Sequence, residues 1–302
     1  MSSSTPSLDA DPSSKSIDSF LQRVAADSEP QAVAHALLGP GSIVSGRFRV
    51  ERFVRRGGMG AIYRGTDLST GAVVAIKAVG KRDRDSRARF AREVSIISEL
   101  SHPGIVRYLA NGGAEDGTLC FVMEWLEGED LSERLLRSPL TLDESLRLIR
   151  RVCKALSFAH ARGVVHRDIK PANLFLPESD PARVKVLDFG IARLTEAEPS
   201  LTTMGARVGT VGYMSPEQAM GERDVDARAD VFALGCVFYE CLTGRAPFAS
   251  EHAVAVLAKV LQEDPARPSD LRADLDPRFD ELVSKLLAKK RDDRLLDALA
   301  VL

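Results

Sequence analysis

The sequence predicts an α+β protein of two lobes sharing one cleft, on three observations. Period-two alternation dominates the first third from Arg47, and helical periodicity dominates after Gly128. The chain has 302 residues, 44% of them hydrophobic, which suffices for a sizeable core.

The elements follow in order. Residues 1–16 hold seven serines, two prolines and two aspartates, and bury too little apolar surface to offset the entropy of ordering. They are expected to be a disordered tail. Residues 17–46 form an N-terminal extension, where Ile17, Phe20, Leu21 and Val24, then Val33, Ala36 and Leu37, sit at helical spacing on either side of Pro30. Two short helices are predicted there. Arg47 to Val54 alternates polar and apolar, as a half-buried strand does. Gly57, Gly58, Met59 and Gly60 make a turn, Ala61 to Arg64 the returning strand, and Ala72 to Val79 a third strand that is apolar except for Lys77. A charged helix is expected from Ser86 to Leu100, with Phe90, Val94, Ile97 and Leu100 on one face, and a further strand from Leu119 to Met123. Helices are predicted over Leu142 to Ala161, Asp230 to Leu242, Ala253 to Gln262 and Phe279 to Ala288.

Composition narrows the function classes. There are 41 basic and 43 acidic residues, a net charge of −2, so no excess of one sign favours nucleic acid. Cys120, Cys153, Cys236 and Cys241 are scattered without a C-x-x-C pair, which predicts free thiols in a reduced cytoplasmic interior. The longest apolar run, Val231 to Leu242, is too short for a membrane span and carries Glu240.

Lys77 is the first chemical signal. A lysine flanked by Val73, Val74, Ala75 and Ile76 is costly to bury unless an anion meets it, although a lysine snorkelling to solvent would be the ordinary alternative for a lone case. It does not stand alone. His166-Arg167-Asp168-Ile169-Lys170-Pro171-Ala172-Asn173 and Asp188-Phe189-Gly190 follow in the order of the protein-kinase signature set. The six fixed positions of that octapeptide would match by chance with odds on the order of 10⁻⁵ to 10⁻⁶.

From about Arg47 to Arg294, roughly four-fifths of its length, the chain resembles the bacterial eukaryotic-like (Hanks-type) protein serine/threonine kinases. The resemblance implies a bilobal kinase domain over 47–302, with an N-lobe at 47–123, a hinge at 124–127 and a C-lobe at 128–302. It implies ATP and Mg²⁺ (or Mn²⁺) as cofactors and Ser/Thr hydroxyls of proteins as acceptors. Catalysis in this family is positioning plus charge stabilisation. The residues Val54, Arg55, Arg56, Gly57, Gly58, Met59, Gly60, Ile62, Ala75, Met123, Glu124, Leu126, Asp130 and Phe175 are then expected around the nucleotide, with Asp130 at the ribose. Lys77 would hold the α- and β-phosphates and Glu93 would hold Lys77. Asn173 and Asp188 would ligate metal, Asp168 would accept the substrate proton, and Lys170 would meet the γ-phosphate.

On the substrate side, Gly209 to Glu217 is similar to the family's G-T-x-x-Y-x-[AS]-P-E segment. Thr210 would bridge Asp168 and Lys170, Glu217 would pair with Arg294 in the last helix, and Asp230 would brace the catalytic loop. Arg167 before the catalytic aspartate is the pattern of kinases switched on by activation-loop phosphorylation, here expected by autophosphorylation at Thr202 or Thr203. Homodimerisation through the N-lobe is a further expectation of the family. Arg55 departs from it, standing at the first glycine of G-x-G-x-x-G; altered nucleotide affinity is expected rather than lost activity. Leu295, Leu296, Leu299, Val301 and Leu302 close the chain as residues to bury.

A catalytically silent pseudokinase scaffold is the alternative, but such relatives usually lose the strand lysine or one of the two aspartates, and all three are present. A small-molecule kinase of similar fold would lack the Thr210 to Glu217 segment and the arginine before the catalytic aspartate.

Overall fold

The computed structural model describes residues 38–57, 60–81, 96–189 and 211–302. The expected tail, the helices of the extension, most of the helix at 86–100, and Gly58, Met59, Glu93, Thr202, Thr203 and Thr210 lie outside the described residues.

The first lobe is an antiparallel sheet of six strands: β1 (Ile43–Val44), β2 (Phe48–Gly57), β3 (Gly60–Asp67), β4 (Val73–Lys81), β5 (Tyr108–Gly113) and β6 (Thr118–Glu124), in the order β1-β2-β3-β4-β6-β5. Side chains alternate faces along each strand. Val74, Ile76 and Ala78 of β4 therefore share one face and pack with Phe48, Val50, Tyr63 and Val122 in the core of this lobe. Ala75, Lys77 and Val79 take the other face, so the alternation of β4 alone turns its lysine away from that core. The Tyr63 hydroxyl accepts a hydrogen bond from the Leu38 amide at 3.0 Å and pins the entering chain to the sheet.

The second lobe holds a small sheet of β7 (Gly128–Asp130), β8 (Leu174–Pro177) and β9 (Lys185–Val186), with helices α1 (Leu131–Arg137), α2 (Leu142–His160), α3 (Pro216–Ala219), α4 (Ala227–Thr243), α5 (Ala253–Gln262), α6 (Pro268–Leu271), α7 (Arg278–Leu286) and α8 (Ala298–Val301). α4 is apolar on all sides and is buried along nearly its whole length, as such a helix must be. Its Gly235 lets α7 approach: a Cβ there would lie 2.7 Å from the Cβ of Leu286. α2 and α1 each start on a capping box, Thr141 with Glu144 and Asp130 with Glu133.

The structure departs from expectation in several places. β1, β5, α1 and the three short strands were not foreseen. Arg294 is not in a helix; it follows a 3-10 turn at Arg291–Asp293 in extended conformation, because its guanidinium is drawn back onto the carbonyls of Ala288 (2.7 Å) and Lys289 (3.0 Å). Leu296, Leu299 and Leu302 are exposed at 64%, 64% and 53%, since the last helix is a single turn that buries only Ala298. All four cysteines are free and buried. Burial pushes the Cys120 and Cys153 thiols up to about 12. No described helix is long and apolar enough to cross a membrane.

Candidate active site

The register of four strands lays out one wall of the cleft. Arg55 pairs with Ile62, Ile62 with Lys77, and Lys77 with Phe121; in the next row Arg64 pairs with Ala75 and Ala75 with Met123. Val54, Ile62 and Ala75 are half-buried, whereas their core-facing neighbours Ala61, Tyr63, Val74 and Ile76 are fully buried. This row of small and branched side chains is an apolar surface with room left against it. The turn between β2 and β3 needs glycine for a backbone reason: Gly60 has φ +147°, and a Cβ would sit 2.0 Å from the Ala78 carbonyl oxygen. Gly57 pairs with Gly60 across that turn, and Arg56 is exposed beside it.

At the end of β6, Met123 is buried and the Glu124 carboxylate is fastened, accepting from Lys185 Nζ at 2.5 Å and from the Arg107 amide at 2.9 Å. Leu126 is half-buried in the connection that follows, and Phe175, half-buried on β8, pairs with Asp130 and with Lys185. Asp130 itself receives Arg55 Nη1 on its Oδ2 at 2.8 Å.

Lys77 finds its anion 111 residues along the chain: Nζ lies 2.6 Å from Asp188 Oδ2, with Lys77 only 5% exposed. Burial pushes the Asp188 carboxyl up, but the charge and hydrogen bond of Lys77, with His166 and Lys170 beyond, outweigh it and hold the group below the usual aspartate value. Asp188 sits at φ +58°, a left-handed conformation that an aspartate adopts only when its surroundings enforce it.

The loop from His166 to Asn173 carries the other charged groups. Lys170 Nζ donates to both Asp168 oxygens, at 2.9 and 2.8 Å. Asn173 Nδ2 donates to the Asp168 carbonyl at 2.7 Å and to its Oδ2 at 2.9 Å, which leaves the amide oxygen as the acceptor end of that side chain. The two loops are tied together: the Leu187 amide donates to the Asn173 carbonyl at 2.9 Å, and the Leu187 carbonyl accepts from His166 Nε2 at 2.6 Å. His166 Nδ1 faces the Asp168 amide at 3.2 Å. The ring is fully buried, edge-on to Phe189 with ring centroids 4.6 Å apart.

Asp230 anchors this loop from below. Its carboxylate accepts from the amides of His166 and Arg167, both at 2.7 Å, and from His160 Nε2 at 2.9 Å. Burial raises its pKa, but these donors win and the net shift is downward. Arg167 is thereby held at φ +66°. Glu217 and Arg294 form a buried bidentate pair with both contacts at 2.7 Å. Besides the contact of Arg55 with Asp130, sequence reasoning missed two connections. Gln218 Nε2 donates to the Arg167 carbonyl at 2.7 Å, joining the segment after Ser215 to the catalytic loop. Tyr213 donates to Glu240 Oε2 at 2.5 Å. Only the capping-box spacing of Ser215 and Gln218 hinted at the first, and nothing local hinted at the second.

The donor set suits a hard divalent cation. Among the described residues there is no group of three or more metal-binding side chains, but the Asp188 carboxylate and the Asn173 amide oxygen are two oxygen donors on loops fastened to each other. Magnesium is held in this way, by few protein ligands with water and phosphate oxygens completing its shell.

A buried strand lysine paired to one aspartate, and a second aspartate held by a lysine and an asparagine on an adjoining loop, between a sheet lobe and a helical lobe, define the protein kinase fold. The protein kinase domain family matches residues 48–299, and the chain belongs to that family. It is 40% identical over 265 residues to the serine/threonine-protein kinase pkn3 of Myxococcus xanthus, covering 84% of this chain and 48% of that protein. It is 40% identical over 259 residues to the serine/threonine-protein kinase PknB of Mycolicibacterium smegmatis, covering 83% of this chain and 41% of the relative. The crystal structure of the M. tuberculosis PknI kinase domain matches with a TM-score of 0.69 and 28% identity, covering 88% of this chain and 96% of that one. The chain thus spans less than half the length of these two curated relatives.

Proposed function

We propose that the chain is an ATP-dependent protein serine/threonine kinase that uses Mg²⁺ or Mn²⁺. One observation supports this above the others: Lys77 meets Asp188, Lys170 and Asn173 meet Asp168, and a backbone bond from Leu187 to Asn173 ties the two loops together. Phosphoryl transfer asks for little covalent work and much positioning of charge, which is what such a set supplies.

In this reading the adenine lies against Val54, Ile62, Ala75, Met123 and Leu126 with Phe175 opposite, and the ribose lies at Asp130. Lys77 turns from Asp188 to the α- and β-phosphates, and Glu93 steadies it. Asp188 and Asn173 hold the cation, which when bound neutralises charge on the phosphate oxygens. Asp168 orients the acceptor hydroxyl and takes its proton as the Ser/Thr oxygen bonds to the γ-phosphorus and the bond to the β–γ bridging oxygen breaks, leaving ADP. Lys170 leaves Asp168 to meet charge on the transferring group. Residues 47–302 are the catalytic unit, working in the cytoplasm on protein substrates, and Thr202 or Thr203 is the autophosphorylated position.

The test is the Asp168→Asn variant with labelled ATP and a generic basic protein acceptor. Phosphate incorporation should fall at least about 100-fold, the scale of a general-base contribution, while ATP binding persists. Transfer at the wild-type rate by that variant overturns the assignment, and wild-type protein that binds ATP but never transfers would instead be a scaffold.

A further inference from the structure

Arg55 stands where the family has a glycine, and its backbone shows no strain there: it lies in β2, paired with Ile62, at an ordinary negative φ. What differs is where its side chain goes. It crosses from the sheet lobe to the helical lobe and ends on Asp130, with Nη1 2.8 Å from Oδ2. The aspartate is the N-cap of α1, and its other oxygen, Oδ1, is already engaged by the Glu133 amide at 3.1 Å and by the Ser132 hydroxyl. Oδ1 therefore carries two donors, and Oδ2 carries the guanidinium. The Asp130 side chain is only 4% exposed, whereas that of Arg55 is 42% exposed. The guanidinium lies over the carboxylate and is itself free to swing into solvent.

We propose that Arg55 is a gate on the sugar subsite: it pairs with Asp130 and competes with the ribose hydroxyls for that carboxylate, so it sets both nucleotide affinity and discrimination for the ribose. The inference rests on the nucleotide site proposed above. A hydroxyl at Oδ2 must compete with the guanidinium that covers it, and the apparent affinity for ribonucleotides is lowered by the fraction of molecules in which the pair is closed. Oδ1 cannot serve instead without uncapping α1. A nucleotide with no sugar hydroxyl has nothing to offer Asp130 and leaves the gate shut.

Equilibrium titration calorimetry tests this without any acceptor protein, using ATP and 2′,3′-dideoxy-ATP as probes. Arg55→Gly and Arg55→Ala should each tighten ATP about two- to fivefold, the range for releasing one half-exposed ion pair, and leave dideoxy-ATP unchanged. In an Asp130→Asn background, where asparagine preserves the helix cap, the Arg55→Ala effect should vanish. Weaker ATP binding by both variants would mean that Arg55 grips the nucleotide, and equal tightening of both probes would mean that it merely obstructs; either overturns the gate. A gain from Arg55→Gly alone would trace to a more flexible turn and also overturns it. If no form of the protein binds ATP, the proposed nucleotide site falls and the gate with it, whereas ATP binding indifferent to Arg55 removes the gate only.

Discussion

Lys77 and Asp188, 111 residues apart, meet at 2.6 Å with the lysine almost wholly buried, so each serves the other as counter-ion. Removing one partner strands the other. In Lys77→Met the methylene length is kept and the charge is lost, and burial at Asp188 is then opposed only by the more distant His166 and Lys170, so its pKa rises. The variant should lose about 3 kcal/mol of stability at neutral pH and less near pH 5, where the carboxyl can take up a proton. Its phosphoryl-transfer rate should fall by about 10²–10³, the scale of one electrostatic contact to a developing charge. Urea unfolding at the two pH values checks the first statement; a loss that is the same at both would show that Asp188 does not depend on Lys77.

Asp230 is a different kind of anchor, with no direct view of the cleft. Its carboxylate fixes two successive amides, those of His166 and Arg167, and so imposes the left-handed turn at Arg167 from which Asp168 projects. Asp230→Asn keeps the shape but turns an NH₂ toward donors. We expect about 2–4 kcal/mol lost and a fall in kcat with little change in KM for ATP, because Lys77 and the β2–β3 turn are untouched. Steady-state kinetics separates the outcomes: a variant with unchanged kcat would mean the loop holds its geometry without this aspartate.

How much of this was legible beforehand follows from the reach of each signal. Lys77 stood out as the one charge in an apolar strand, and Asp168, Asn173 and Asp188 as members of two compact motifs, so the site could be assembled from short spans of sequence. α5 was read with its observed ends, and α2 to within one residue, because their apolar faces repeat every three to four positions. β5 was not legible: Tyr108–Gly113 ends in Asn111, Gly112 and Gly113 and is a strand only because β6 supplies its partner. α1 has one buried residue, Leu131, too few to show a period. The contacts from Arg55 to Asp130 and from Gln218 to the Arg167 carbonyl span 75 and 51 residues, and no local pattern encodes a partner at that distance. Arg294 was placed in the last helix by the family resemblance, whereas its backbone is extended and its side chain reaches back to the carbonyls that follow α7.

The Glu217–Arg294 pair links the segment after Ser215 to the end of the domain, and it makes stability depend on acid. Burial alone would raise the Glu217 pKa, but the two hydrogen bonds and charge of Arg294 more than reverse that, so the folded value lies below the ordinary glutamate value. A carboxyl depressed by folding binds fewer protons in the native state than in the unfolded one. Its stabilisation is complete above the unfolded pKa, about 4.3, and disappears as pH falls through the lower folded value. Asp188 and Asp230 are shifted the same way and add to the effect. The protein should therefore unfold steeply below about pH 4. Glu217→Gln, which leaves a buried guanidinium without its counter-charge, should cost about 3–5 kcal/mol at pH 7 and flatten the acid limb of the stability curve. Thermal melts from pH 3 to pH 7 on both proteins check this. Parallel curves for the variant and the parent would mean that the pair carries none of the acid dependence.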